Sequence, residues 1–133
     1  MRTFVTALLA VLLTMNATVL VRAQTTAPGE HMIVVLNYIK AEKRAQFDDY
    51  LKRFQTDLRK VIPNDRTRFL KPVAANEDGT LTYVFLIQPV VKGGDYSMLS
   101  VLTKSTSKEE AERRMKQFLD CLAKPQVAAE VQN

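Results

Sequence analysis

The run Met32-Ile33-Val34-Val35-Leu36-Asn37-Tyr38-Ile39 constrains this chain most, because it is β-branched or aliphatic almost throughout. Such a segment has almost no face to give to water, which suits a strand covered on both faces or nearly so and lying centrally in a sheet. A fold that buries it needs at least one neighbouring strand on either flank and a layer packed across it.

The segments that follow supply those partners. From Ala41 to Ile62 apolar residues recur at Phe47, Leu51, Phe54, Leu58 and Ile62, spaced by 4, 3, 4 and 4, with charges between them. That spacing predicts an amphipathic helix, and Pro63-Asn64-Asp65 ends it because proline cannot continue the hydrogen-bond ladder. Thr67 to Ala75 and Thr80 to Gln88 flank Asn76-Glu77-Asp78-Gly79. The Asp-Gly pair suits a tight hairpin, and Pro72, lacking an N–H, sends its strand to an edge. Pro89 closes the second strand. After Lys92-Gly93-Gly94, a flexible joint, Asp95 is expected to cap a short helix through Leu102. Ser107-Lys108-Glu109-Glu110 matches a capping box, and its helix presents Ala111, Met115, Phe118, Leu119 and Leu122 on one face. Pro125 stops it, and 126–133 reads as a weakly patterned tail.

The order strand, helix, hairpin, helix predicts an α+β, ferredoxin-like split βαβ two-layer sandwich. The first and third strands lie side by side in a three-stranded antiparallel sheet, four-stranded if Val127 to Val131 pairs, with helices on one face.

Before the domain comes a different kind of segment. Met1-Arg2-Thr3 carries one positive charge, and Phe4 to Val21 is apolar apart from Thr6, Thr14, Asn16 and Thr18. The stretch closes on Val21-Arg22-Ala23, which suits signal peptidase, so 1–23 reads as a signal peptide cleaved before Gln24. The competing reading is an uncleaved anchor, since ~18 residues approaches the shortest helix that spans a bilayer. The expected organisation is a signal peptide (1–23), a flexible mature N-terminus (24–31), one α+β domain (32–125) and a tail (126–133). The protein is then exported, periplasmic or secreted, with the membrane met only through the signal segment.

Processing removes Arg2 and Arg22 from 19 basic residues, leaving 17 against 14 acidic ones. This mild surplus, in an exported chain, argues against nucleic acid as a partner. Cys121 is the sole cysteine, so no internal disulfide can form, and its place in a helix near Phe118 suits an inert buried thiol.

The stretch from Ile33 to Phe54, IVVLNYIKAEKRAQFDDYLKRF, together with the element order, resembles the dimeric α/β-barrel superfamily, which includes small cofactor-independent monooxygenases of antibiotic biosynthesis. The resemblance implies a homodimer whose sheet faces pack together around a ligand cavity. It also implies that Asn37, on the first strand, orients a substrate. Haem-degrading members rely on a histidine and a tryptophan; this chain has no tryptophan, and its one histidine, His31, precedes the first strand.

Four residues are candidate ligand contacts. Asn37 shares a strand face with Ile33, Val35 and Ile39, where a buried amide needs partners; it either faces a cavity or bonds to backbone or water. Tyr83 and Phe85 alternate with Leu81 and Ile87, making an aromatic sheet face that a core, a partner or a ligand must cover. Tyr96 follows Gly93-Gly94-Asp95, readable as a hinged lid or a plain connector. His31 has no companions at metal spacing, Ser97, Ser100, Ser105 and Ser107 lie outside any nucleophile elbow, and no phosphate-binding glycine pattern follows a strand. No catalytic residue, metal or cofactor is therefore assigned. Arg59, Lys60, Arg66, Arg68 and Lys71 form a basic cluster, a solvated face or a site for anionic surfaces.

The reading that results is a non-enzymatic exported domain binding a small apolar ligand or a protein partner. The alternative is a cofactor-independent monooxygenase acting on an electron-rich aromatic substrate, with Asn37, Tyr83 and Tyr96 lining the site.

Overall fold

The computed structural model describes residues 30–132. The expected signal peptide, its cleavage point and most of the mature N-terminus lie outside the described residues.

The first strand, β1, runs His31–Ile39, one residue earlier than the apolar run suggests. A 3-10 turn (Ala41–Lys43) leads into helix α1, Arg44–Val61. Its buried stripe is Phe47, Tyr50, Leu51, Phe54, Asp57 and Leu58, the face expected from spacing with Tyr50 and one carboxylate added. Strand β2 is only Arg68–Leu70, stopping short of Pro72, while β3 covers Leu81–Ile87. Between them Gly79 takes φ of +82° and donates its N–H to the Asn76 carbonyl, closing the expected turn.

Helix α2 is Met98–Ser105, and its cap is Ser97 rather than Asp95. The Ser97 Oγ accepts from the Ser100 N–H, and Asp95 instead accepts from the Ser97 N–H, one turn earlier. Helix α3 is Lys108–Cys121, capped by Ser107. Only half the capping box forms, because the Glu110 carboxylate turns to the Arg113 guanidinium. The buried face of α3 is Ala111, Arg114, Phe118 and Cys121. Leu119 is exposed, contrary to expectation, since the helix is rotated to bring Arg114 against Asp57 of α1.

The tail expected at 126–133 is a strand over most of its length: β4, Val127–Gln132, pairs antiparallel with β1. The four strands run in the order β2-β3-β1-β4, all antiparallel, with α1, α2 and α3 on one face. This is the ferredoxin-like arrangement that the resemblance implies, with β1 central as its composition demands. Backbone bonds from Lys40 N–H to the Cys121 carbonyl and from Ala123 N–H to the Tyr38 carbonyl pin the end of α3 to the end of β1.

Strand alternation separates the two sheet faces. Val35, Asn37 and Ile39 of β1 and Leu81, Tyr83, Phe85 and Ile87 of β3 are buried and share the helix-covered face. The chain's own helices thus cover the aromatic face, as its core. Val34, Leu36, Val84 and Leu86 occupy the opposite face, half-buried, beside exposed Leu70 of β2 and Val127 and Val131 of β4.

Candidate functional site

The layer between helices and sheet is filled at one end and open at the other. Toward Ile39 and Leu81, Phe47 sets its ring edge-on to Tyr83, centroids 4.7 Å apart, and packs with Phe118 and Tyr50. Toward Ile33 and Ile87 the packing parts to leave a cavity of about 330 Å3. Strands supply Ile33, Val35, Phe85, Ile87 and Ala128 to its wall, α1 supplies Phe54 and Leu58, and the segment Gly94–Met98 closes one side.

Polar groups reach this wall from three places. Thr67, ahead of β2, is held by Asp65, which accepts from both its N–H and its hydroxyl. Gln126, at the foot of β4, donates through Nε2 to Asn37 Oδ1 at 2.6 Å. Tyr96 is anchored by the Val91 N–H, which donates to its hydroxyl oxygen at 3.1 Å. Burial raises the Tyr96 phenol above its ordinary pKa, so it stays neutral through the physiological range. The Asp95 carboxylate is held below its usual range by the Ser97 backbone N–H and by Ser100 and Ser97 side chains. A Cβ on Gly94 would lie 3.0 Å from the Val91 carbonyl oxygen and 3.1 Å from the Tyr96 ring, so a glycine there lets the loop fold tightly behind Tyr96.

Of the four candidate ligand contacts, Phe85 and Tyr96 stand in the cavity wall. Asn37 is fully buried one hydrogen bond behind it, reaching the wall only through Gln126, and its Nδ2 has no protein partner. Tyr83 lies in the filled end, where its hydroxyl donates to Asp48 at 2.9 Å. Desolvation, then the bond to Asp48, pushes its pKa up to about 12. Gln126 escaped sequence reasoning because it falls in the segment taken as tail; Pro125 before it, ending a helix, was the only local signal.

The remaining groups are engaged elsewhere. His31 belongs to β1, and its Nδ1 meets Glu130 Oε1 at 2.6 Å. Cys121 is fully buried, which raises its thiol pKa. Among the described residues, no group of three or more His, Cys, Asp or Glu is placed to hold a metal ion. In the basic cluster, Lys60 pairs with Asp57 and Lys71 with Asp48, while Arg66 and Arg68 are exposed. No described helix is long and apolar enough to cross a membrane.

No protein-family model matches the chain, and comparison with curated proteins gives no match. Among solved structures, the chain is similar to a candidate antibiotic biosynthesis monooxygenase from Caulobacter crescentus CB15, with a TM-score of 0.48, 11% identity, and 80% of this chain and 91% of that one covered. It is also similar to a candidate antibiotic biosynthesis monooxygenase from Nitrosomonas europaea, with a TM-score of 0.44, 10% identity, and 83% and 95% covered. Such partial superposition at such low identity transfers neither a residue role nor an activity.

Proposed function

We propose that this chain is an exported, non-enzymatic domain that binds a small apolar molecule between its helix layer and its sheet, and that two copies associate through the open sheet face. The observation carrying the binding reading is the cavity of about 330 Å3, a volume within the range of small-molecule sites. Its walls are mostly apolar. Its polar groups are tied to the protein: Thr67 to Asp65, Gln126 to Asn37, Ser97 to the Ser100 N–H.

The apolar set Val34, Leu36, Val84, Leu86, Leu70, Val127 and Val131 supports association, because a contiguous apolar face of this kind calls for a covering partner. The leader 1–23 supports export.

The experiment is a fluorescence titration of the purified protein with N-phenyl-1-naphthylamine, a neutral apolar dye, alongside light scattering. The expected result is saturable binding to a dimer, lost in Ala128→Phe, whose ring would fill the cavity from an exposed position on β4. Dye binding that Ala128→Phe leaves intact would overturn the cavity as the site, and a monomeric mass would overturn the association. Oxygen-dependent turnover of an electron-rich phenol, sensitive to Ala128→Phe, would replace the non-enzymatic reading with the oxygenase one.

A further inference from the structure

Among the described residues of the cavity wall, one carries a formal charge, and it is an acid, Asp95. No lysine or arginine among the described residues lines the cavity, although the chain as a whole is basic. Asp95 is ionised and bound to backbone N–H rather than to a base, and it takes part in none of the ion pairs among the described residues. A second carboxylate, Asp65, stands behind Thr67 at the same end and is close enough to act on Tyr96 electrostatically; it too is in none of those ion pairs. Among the described residues, the cation that acts on Asp95 is Lys104, in the last turn of α2, and its influence is the weakest of those on that carboxylate; Arg66, next to Asp65 in sequence, and Lys92, ahead of Gly93, are exposed.

Aromatic faces complete the set. Phe54, Phe85 and Tyr96 all contribute to the wall, and aromatic faces attract a desolvated cation through their quadrupoles. A carboxylate at the mouth and aromatic rings within, without a base, match an organic ammonium and repel an organic anion.

Resting on the ligand-binding reading, we propose that the cavity takes an organic ammonium compound, its apolar body seated against Phe54, Phe85 and Ile87 and its nitrogen at the Tyr96 end beside Asp95. The alkyl or aryl body provides burial, and the charge provides selection against carboxylates of the same shape.

Three probes of matched shape test this by calorimetry at neutral pH and low salt: 2-(1-naphthyl)ethylamine, 2-(1-naphthyl)ethanol and 1-naphthylacetate. The amine is expected to bind roughly fivefold to tenfold tighter than the alcohol, with the carboxylate weakest. Asp95→Asn, which keeps an acceptor for the Ser97 N–H, is expected to remove most of the amine's advantage over the alcohol and leave the alcohol unchanged. If amine and alcohol bind equally, or the carboxylate binds best, the charge preference is overturned while the binding reading stands. If none binds in a manner blocked by Ala128→Phe, both fall together.

Discussion

Phe47 and Phe54 lie two turns apart on α1, above the same face of the same sheet, and meet opposite surroundings. Phe47 is enclosed by Tyr50, Tyr83, Phe85 and Phe118, contributed by three different elements. Phe54 has Tyr50 and Phe69 beside it and the cavity in front. The sheet is largely apolar under both, and the filled end even carries the Asn37 amide and the Tyr83 hydroxyl. What differs is the cover: α3 brings Phe118 over one end, whereas the other is bounded by the segment Gly94–Met98. One sheet face therefore becomes core or binding site according to which element reaches across it.

Truncating the two rings measures that contrast most directly. Phe47→Ala is expected to destabilise by about 4–5 kcal/mol and Phe54→Ala by about 3, because the cost grows with the packing that is lost. Chemical denaturation of each variant checks it, and equal losses would mean that the two ends are packed alike.

Tyr83 gives a smaller effect, confined to the filled end. Its folded pKa of about 12 lies above the ordinary value near 10, so its contribution is complete below pH 10 and is lost as pH climbs from 10 toward 12. Tyr83→Phe is expected to cost about 1 kcal/mol at pH 8 through the missing bond to Asp48. The gap from the unsubstituted protein then closes between pH 10 and 12 in denaturation midpoints; a constant gap would mean that Tyr83 titrates alike folded and unfolded.

The smallest effect belongs to the open end. Gly94→Ala places a methyl against the Val91 carbonyl and the Tyr96 ring, and a cost of about 0.5–1 kcal/mol is expected. Because the ring it presses on is cavity wall, dye binding is expected to weaken severalfold even where stability barely changes. Weaker stability with unaltered binding would assign the strain to the backbone alone.

Most of the scaffold was legible because its signals are local. The apolar run of β1, the helical spacing of Phe47 to Leu58, the Asp78-Gly79 turn and the Ser107 cap each act within a few residues. β4 was not, since Val127-Ala128-Ala129-Glu130-Val131-Gln132 has weak strand character of its own and is held by pairing to β1. The rotation of α3 was hidden for a similar reason: the Asp57–Arg114 pair between helices sets it, leaving Leu119 outside. Two of the four ligand candidates, Phe85 noticed from alternation and Tyr96 from its loop, stand in the cavity wall. Asn37 was noticed as an odd amide, but its link to the wall passes through Gln126, 89 positions away.

β4 also gives the coding sequence a fixed length at one place. Ala128 and Glu130 fall on the cavity side of the strand, and Val127 and Val131 on the other, while Ala123 is already locked to Tyr38 four residues before the strand begins. A three-base deletion between codons 123 and 127 would turn every one of those side chains over, presenting valines to the cavity and a carboxylate to the apolar outer face. By contrast, the connection from Leu70 to Leu81 crosses exposed residues for much of its length and carries no such alternation. Lineages of this protein should thus drift in length at the hairpin and hold their count at the approach to the last strand.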